Sequence, residues 1–256
     1  MISVQDVTKR YALGKTTITA LDHVTLDIDA GEFLAIGGSS GSGKSTLLNV
    51  VGCLDSPTSG SVEIDGEQTD RLSQSKLNSL RLNKIGFIFQ AFNLVASLNV
   101  FENIELPLLI QKNISTAQRR ERVRFFIEKV GLADRMRNKP VELSGGQRQR
   151  VAVARALATK PRVVLADEPT ANLDTQTGIE IINLMHTISR EEGTAFVFST
   201  HDPKVMSRAD RLIHLQDGRI IDEVVNPGDR AEQILFSSDA SAERRGKTGA
   251  RKEVTI

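Results

Sequence analysis

Residues 38–46 read GSSGSGKST. The spacing Gly38-x-x-x-x-Gly43-Lys44-Ser45 sits directly after the apolar run Phe33–Ile36 and before the helical pattern Lys44–Val51. A loop of this kind needs an apolar strand to bring it in and a helix to take it out, so it points to an α/β domain. Its glycines let successive backbone N–H groups turn inward on phosphate oxygens, and the helix N-terminus adds positive potential. Lys44 is placed to reach the β- and γ-phosphates, and Ser45 to ligate Mg²⁺. Gly38, Ser39, Ser40, Gly41, Ser42, Gly43, Lys44, Ser45 and Thr46 are therefore the first candidate nucleotide ligands.

A second apolar run, Arg162–Ala166, ends in Asp167-Glu168. In open α/β sheets ligands collect at the C-terminal ends of the strands. Asp167 is expected to hold Mg²⁺, and Glu168 to polarise the attacking water as general base. Gln90 follows the strand Ile85–Phe89 and is a candidate for contact with Mg²⁺ and that water. His201 follows the strand Ala195–Ser199 and is a candidate for contact with a γ-phosphate. Tyr11, the only tyrosine in a chain without tryptophan, could stack on a nucleobase. Taken singly, Gln90 reads as a surface polar residue, His201 as a structural histidine and Tyr11 as a packing residue. Their company gives them a role.

A second anion-grade loop, LSGGQRQR, occupies residues 143–150. Ser144, Gly145 and Gly146 stand at the start of a helical pattern, where free N–H groups and the helix dipole favour negative charge. Between residues 91 and 158 the pattern is mainly helical. Ser115 with Gln118 forms a capping box, Val123, Phe126, Ile127 and Val130 share one face, and Gly131 suits the helix end. Strands return afterwards and close on a hairpin across Asp217-Gly218.

The remaining features mostly exclude. The net charge of +1 gives no whole-chain argument for nucleic-acid binding, and none is expected. One cysteine, Cys53, allows no internal disulfide. No apolar run approaches the roughly 20 residues that cross a bilayer, so work at a membrane would need a partner. Residues 237–256, SSDASAERRGKTGARKEVTI, are small, polar and almost free of large apolar side chains, too few to bury the surface that ordering requires. The expectation is one domain over 1–236, with a helical subdomain over about 91–158, and a disordered polar tail.

Together, Tyr11, Gly38–Thr46, Gln90, Leu143-Ser144-Gly145-Gly146-Gln147, Val163–Glu168, Asn172-Leu173-Asp174 and His201 resemble the ATP-binding subunits of ABC transporters, over about residues 1–225. The Leu-Ser-Gly-Gly-Gln pentapeptide carries most of this likeness. The resemblance implies an α/β P-loop ATPase core with a helical subdomain and a small antiparallel β-subdomain. It implies ATP and Mg²⁺ as ligands, with Ser45, Gln90 and Asp167 at the metal and Glu168, His201 and Gln90 in catalysis. It implies a head-to-tail homodimer in which Leu143–Gln147 closes over the partner's ATP and Asn172, Leu173 and Asp174 form a dimer loop. It also implies an integral membrane permease that holds the subunit at the cytoplasmic face of the inner membrane. LNVFENIELPLL, ADEPTANLD and GTAFVFSTHDP are similar to the lipoprotein-release and macrolide-efflux branch. Ser39 departs from a frequent proline, and Ala171-Asn172-Leu173-Asp174 from a Ser-Ala-Leu-Asp form. Soluble ABC ATPases of DNA repair or ribosomes are the alternative; they carry a coiled-coil insertion or a second cassette, and neither is seen here. The apolar residues after Gln90 (Phe92, Leu94, Leu98, Val100 and Phe101) are expected to offer a groove to a permease helix.

Overall fold

The computed structural model describes residues 1–14, 16–112 and 114–228. The tail expected over 237–256, and the domain end expected at 236, lie outside the described residues. The chain opens on a long hairpin, β1 (Ile2–Leu13) and β2 (Thr16–Ile28), then runs through β3 (Phe33–Gly37), α1 (Lys44–Val51), β4 (Ser59–Ile64) and the short β5 (Glu67–Gln68). Next come α2 (Gln74–Lys84), β6 (Ile85–Ile88), α3 (Val100–Glu105), α4 (Thr116–Lys129) and α5 (Gly145–Ala158). The last part alternates: β7 (Val163–Ala166), α6 (Thr175–Glu192), β8 (Ala195–Thr200), α7 (Pro203–Met206), β9 (Arg211–Gln216) and β10 (Arg219–Val225).

Two sheets form. β2-β1-β4-β5 is antiparallel, and β10-β9-β3-β8-β7-β6 is parallel except for its β10 edge. The strands of the larger sheet are continuous apolar runs because both faces are covered. Alternation sends Phe33, Ala35, Phe196 and Phe198 to one face and Leu34, Ile36, Ala195 and Val197 to the other. The first face packs against α5, α6 and the helices of 100–158; the second packs against α1 and the antiparallel sheet. The Ser115–Gln118 capping box is present, and Val123, Phe126, Ile127 and Val130 are all buried.

Three local readings change. Gln74–Lys84 is a helix that the sequence pattern does not announce, since only Leu80 is buried on it. The opening hairpin is much longer than its two alternating cores, because its outer half is exposed. The strand before Gln90 stops at Ile88, one residue short of Phe89.

Candidate functional site

Four parallel strands deliver their C-terminal ends to one edge of the sheet. β3 releases residues 38–43, β8 releases His201, β7 releases Asp167-Glu168, and β6 releases Gln90. Parallel pairing aligns these exits: Gly37 lies beside Thr200, and Ile88 beside Ala166.

The phosphate loop depends on its glycines. Gly38 has φ 155° and Gly43 φ 108°. A Cβ at Gly38 would lie 2.3 Å from the Leu215 carbonyl oxygen, and one at Gly43 2.5 Å from that of Ala20. Backbone on both sides leaves no room for a side chain. Lys44 is 5% exposed, and its ammonium donates to the carbonyls of Gly38 at 2.8 Å and Ser39 at 2.7 Å. Burial lowers the Lys44 pKa, against the opposing pull of Glu168 and Asp167. The Ser42 hydroxyl is buried and finds no hydrogen-bond partner among the described residues. A buried polar atom of this kind is costly unless something pairs with it, and a phosphate oxygen in the loop would.

A chain of short contacts ties the loop to β7 and β8. The Ser45 hydroxyl donates to Asp167 Oδ1 at 2.9 Å. Ser199, fully buried in β8, donates to the same oxygen at 2.7 Å and accepts the Glu168 amide at 2.8 Å. Glu168 takes φ 43°, a left-handed conformation unusual for its type. Its carboxylate lies 3.3 Å from His201 Nδ1.

Tyr11 lies beside this edge. Its hydroxyl donates to Asp55 Oδ2 at 2.8 Å, and it also touches the Thr46 side chain. Lys9 donates to Asp55 Oδ1 at 2.6 Å, with its ammonium 4.9 Å from the centre of the Tyr11 ring. Burial pushes the Asp55 carboxyl up, but hydrogen bonds from Lys9, Tyr11 and the Ser56 amide outweigh it and hold the group below its ordinary value. Burial and then Asp55 raise the Tyr11 phenol. The ring is thus fixed in orientation and 36% exposed. Ile18 pairs directly across the hairpin from Tyr11 and is also exposed.

The Leu143–Gln147 loop stands elsewhere. Ser144 caps α5 by accepting the Gln147 amide, while Gln147 Oε1 accepts the Ser144 amide at 2.9 Å. Gly145 and Gly146 hold the first two helix amides, which no helical carbonyl can reach. α5 packs behind β6, where a Cβ at Gly86 would meet the Ala156 carbonyl oxygen at 2.6 Å. β6 is three strands from β3, about 14 Å away at the usual strand spacing. Leu143 is buried in the core beneath the loop.

Asn172-Leu173-Asp174 bridges the two regions. Asn172 donates to the Gln90 carbonyl at 2.7 Å. Gly145 faces Leu173, whose Cδ2 would lie 3.2 Å from a Cβ there. Asp174 caps α6 by accepting the Thr177 amide at 3.0 Å, and that bond is the main reason its carboxyl lies below its ordinary value.

The structure thus gathers residues 38–46, Asp167, Glu168, His201, Gln90 and Tyr11 along one edge and leaves Leu143–Gln147 apart. Sequence reasoning missed Ser199 and Asp55. A hydroxyl inside the apolar run of β8, two residues before His201, was a usable signal. Asp55 had none, since its link to Tyr11 spans 44 positions.

A model of the ABC transporter family matches residues 21–171. The chain is 47% identical over 221 residues to the ABC transporter ATP-binding protein YknY of Bacillus subtilis, covering 86% of this chain and 95% of that one. It is 45% identical over 233 residues to the macrolide export ATP-binding/permease protein MacB of Hyphomonas neptunium, covering 91% of this chain but only 36% of that protein. Among solved structures, the dimeric post-hydrolysis state of the ATP-binding cassette MJ0796 of Methanocaldococcus jannaschii, bound to ADP and Pi, superposes with a TM-score of 0.81 at 45% identity, over 89% of this chain and all of that one. The motifs at the sheet edge, the family match and these relatives agree, and the chain belongs to the ATP-binding subunits of ABC transporters.

Proposed function

We propose that the chain binds ATP with Mg²⁺ and hydrolyses it as a head-to-tail homodimer that drives a membrane permease for lipoprotein release or efflux. The carrying observation is the split of the anion sites. Residues 38–46 and Glu168 share one edge, while Ser144–Gly146 open α5, with their glycines facing Leu173 and Thr177 rather than the phosphate loop. A second copy turned head to tail brings the missing half. The dimeric state of the MJ0796 cassette supports pairing of two copies.

In this reading Tyr11 stacks on adenine, residues 38–46 cradle the phosphates, and Lys44 moves from its own loop carbonyls to the β- and γ-phosphates. Ser45 and Asp167 are hard oxygen donors in contact with each other, Gln90 follows β6 at the same edge, and this set fits Mg²⁺. The cation would offset phosphate charge. Glu168 takes the proton of the attacking water, and His201 holds Glu168 and faces the γ-phosphate. MacB, whose name joins an ATP-binding part to a permease, supports permease coupling, and this chain matches only about a third of it. Among the described residues no helix is long and apolar enough to cross a membrane, so the permease would hold the subunit at the cytoplasmic face.

Titration of ATP onto wild type and Lys44→Ala tests the nucleotide reading. Removing the cradle's only built-in cation should weaken binding by at least about tenfold. Unchanged affinity would contradict it.

The apolar residues expected to form the permease groove are partly taken up by the core. Val100 is buried, and Leu94 and Phe101 pack against the core, so these residues support the helical segment. The open apolar groove is instead lined by Leu82, Phe87, Phe89, Leu106, Pro107 and Ile110. Leu106 is 40% and Ile110 66% exposed, so their loss leaves the fold intact. Leu106→Ala with Ile110→Ala should keep ATP turnover of the isolated subunit within about twofold and weaken capture by the permease by about tenfold or more. Equal loss of both would assign these residues to the core.

A further inference from the structure

The two residues after Ala91 carry unusual backbone. Phe92 has φ 60° and Asn93 φ 48°. Two consecutive non-glycine residues in the left-handed region do not hold themselves there; surrounding contacts must. Two are backbone bonds within the loop, from the Phe92 amide to the Phe89 carbonyl at 3.0 Å and from the Asn93 amide to that of Ala91 at 2.6 Å; the side-chain contacts come from α5. Arg155 Nη2 donates to the Phe92 carbonyl at 2.8 Å, and Nη1 to that of Asn93 at 2.6 Å. Arg148, two turns earlier on the same helix, sets its guanidinium 5.3 Å from the centre of the Phe92 ring. Arg155 has no carboxylate partner among the described residues. A partly buried guanidinium normally recovers its desolvation through an ion pair, whereas this one bonds two loop carbonyls. The Gln90 carbonyl is held separately, by Asn172. The loop from 90 to 93 is therefore pinned at three carbonyls.

We propose that Arg155 is a positioning residue for Gln90: by holding Phe92 and Asn93 in the left-handed region it sets the loop that presents Gln90 to the nucleotide edge. The claim rests on the ATPase reading for its consequence, though the clamp itself does not. α5 begins at Ser144–Gly146, and Arg155 lies about 15 Å further along the same rigid helix. A helix whose first turn grips the partner's nucleotide thus also holds the Gln90 loop of its own chain. Movement of α5 toward the partner would move Gln90 with it.

Two readouts test this on the full chain, in wild type, Arg155→Lys and Arg155→Ala. Amide hydrogen exchange over residues 91–95 should quicken by about tenfold or more in Arg155→Ala and less in Arg155→Lys, which keeps one donor, while the α5 amides stay protected. Unchanged exchange over 91–95 would overturn the clamp. At saturating ATP, kcat should fall by about tenfold or more, with the ATP affinity of the phosphate loop near wild type. Adding Asn93→Gly to Arg155→Ala should recover part of kcat, since glycine takes φ 48° unaided. A merely structural Arg155 would lower the melting temperature and folded fraction, leave kcat per folded molecule unchanged, and gain nothing from the glycine. Faster exchange with unchanged kcat would overturn the positioning role. A wild type without turnover would instead defeat the ATPase reading, and the exchange measurement would still decide the clamp.

Discussion

Glu168→Gln is expected to lower steady-state ATP turnover by at least about a hundredfold and to leave ATP binding intact. The structure explains why the loss should be specific. The Glu168 backbone is fixed by the hydrogen bond its amide N–H donates to the Ser199 hydroxyl and by the left-handed turn after β7, and neither depends on the side-chain charge. A carboxamide has the same shape and can still meet His201, now 3.3 Å from the carboxylate. What it cannot do is accept a proton from water at neutral pH. Asp167 keeps its contacts with Ser45 and Ser199, so the link between the phosphate loop and β7 is undisturbed. ATP-bound dimers should therefore accumulate, visible as a shift to the dimer on size exclusion in ATP but not in ADP. Phosphate release near the wild-type rate would remove Glu168 from its role.

Much of this site was legible because its parts are local. A phosphate loop is one stretch between one strand and one helix, and α1 begins at Lys44 as the spacing implies. The doubly covered strands β3, β7 and β8 are short unbroken apolar runs, which periodicity can read. What stayed hidden is made by pairing across distance. Ser199 matters only because β7 and β8 are neighbours, bringing it to Asp167 across 32 positions. The Asn172–Gln90 bond spans 82 positions, and Arg155 reaches Asn93 across 62. No local pattern encodes such contacts. α2 was missed for a different reason: a surface helix with one buried residue has almost no apolar periodicity to find. That Val100 is buried while Leu106 and Ile110 are exposed stayed hidden as well, because a run of apolar residues does not say which of them face inward.

Gly145→Asp should abolish turnover of the homodimer. It places a carboxylate at the first amide of α5, beside Leu173, where the partner's γ-phosphate is expected. Two unit charges 4 Å apart repel by about 4 kcal/mol at the effective dielectric of a protein surface, close to a thousandfold in binding. Lys44→Ala disables the other half of the site. The two lesions together ask whether the halves belong to one chain or to two, which is the central claim. ATP turnover is measured after mixing a Lys44→Ala chain with a Gly145→Asp chain, and separately after mixing the double variant with wild type at a ratio that leaves few wild-type homodimers. In the first mixed dimer both lesions fall on one composite site, and the other joins an intact phosphate loop to an intact Ser144–Gly146. In the second, each composite site carries one lesion. The account predicts recovered turnover in the first mixture and none above the wild-type homodimer background in the second. A second mixture more active than the first would mean that Ser144–Gly146 serves the nucleotide of its own chain, and would contradict the account.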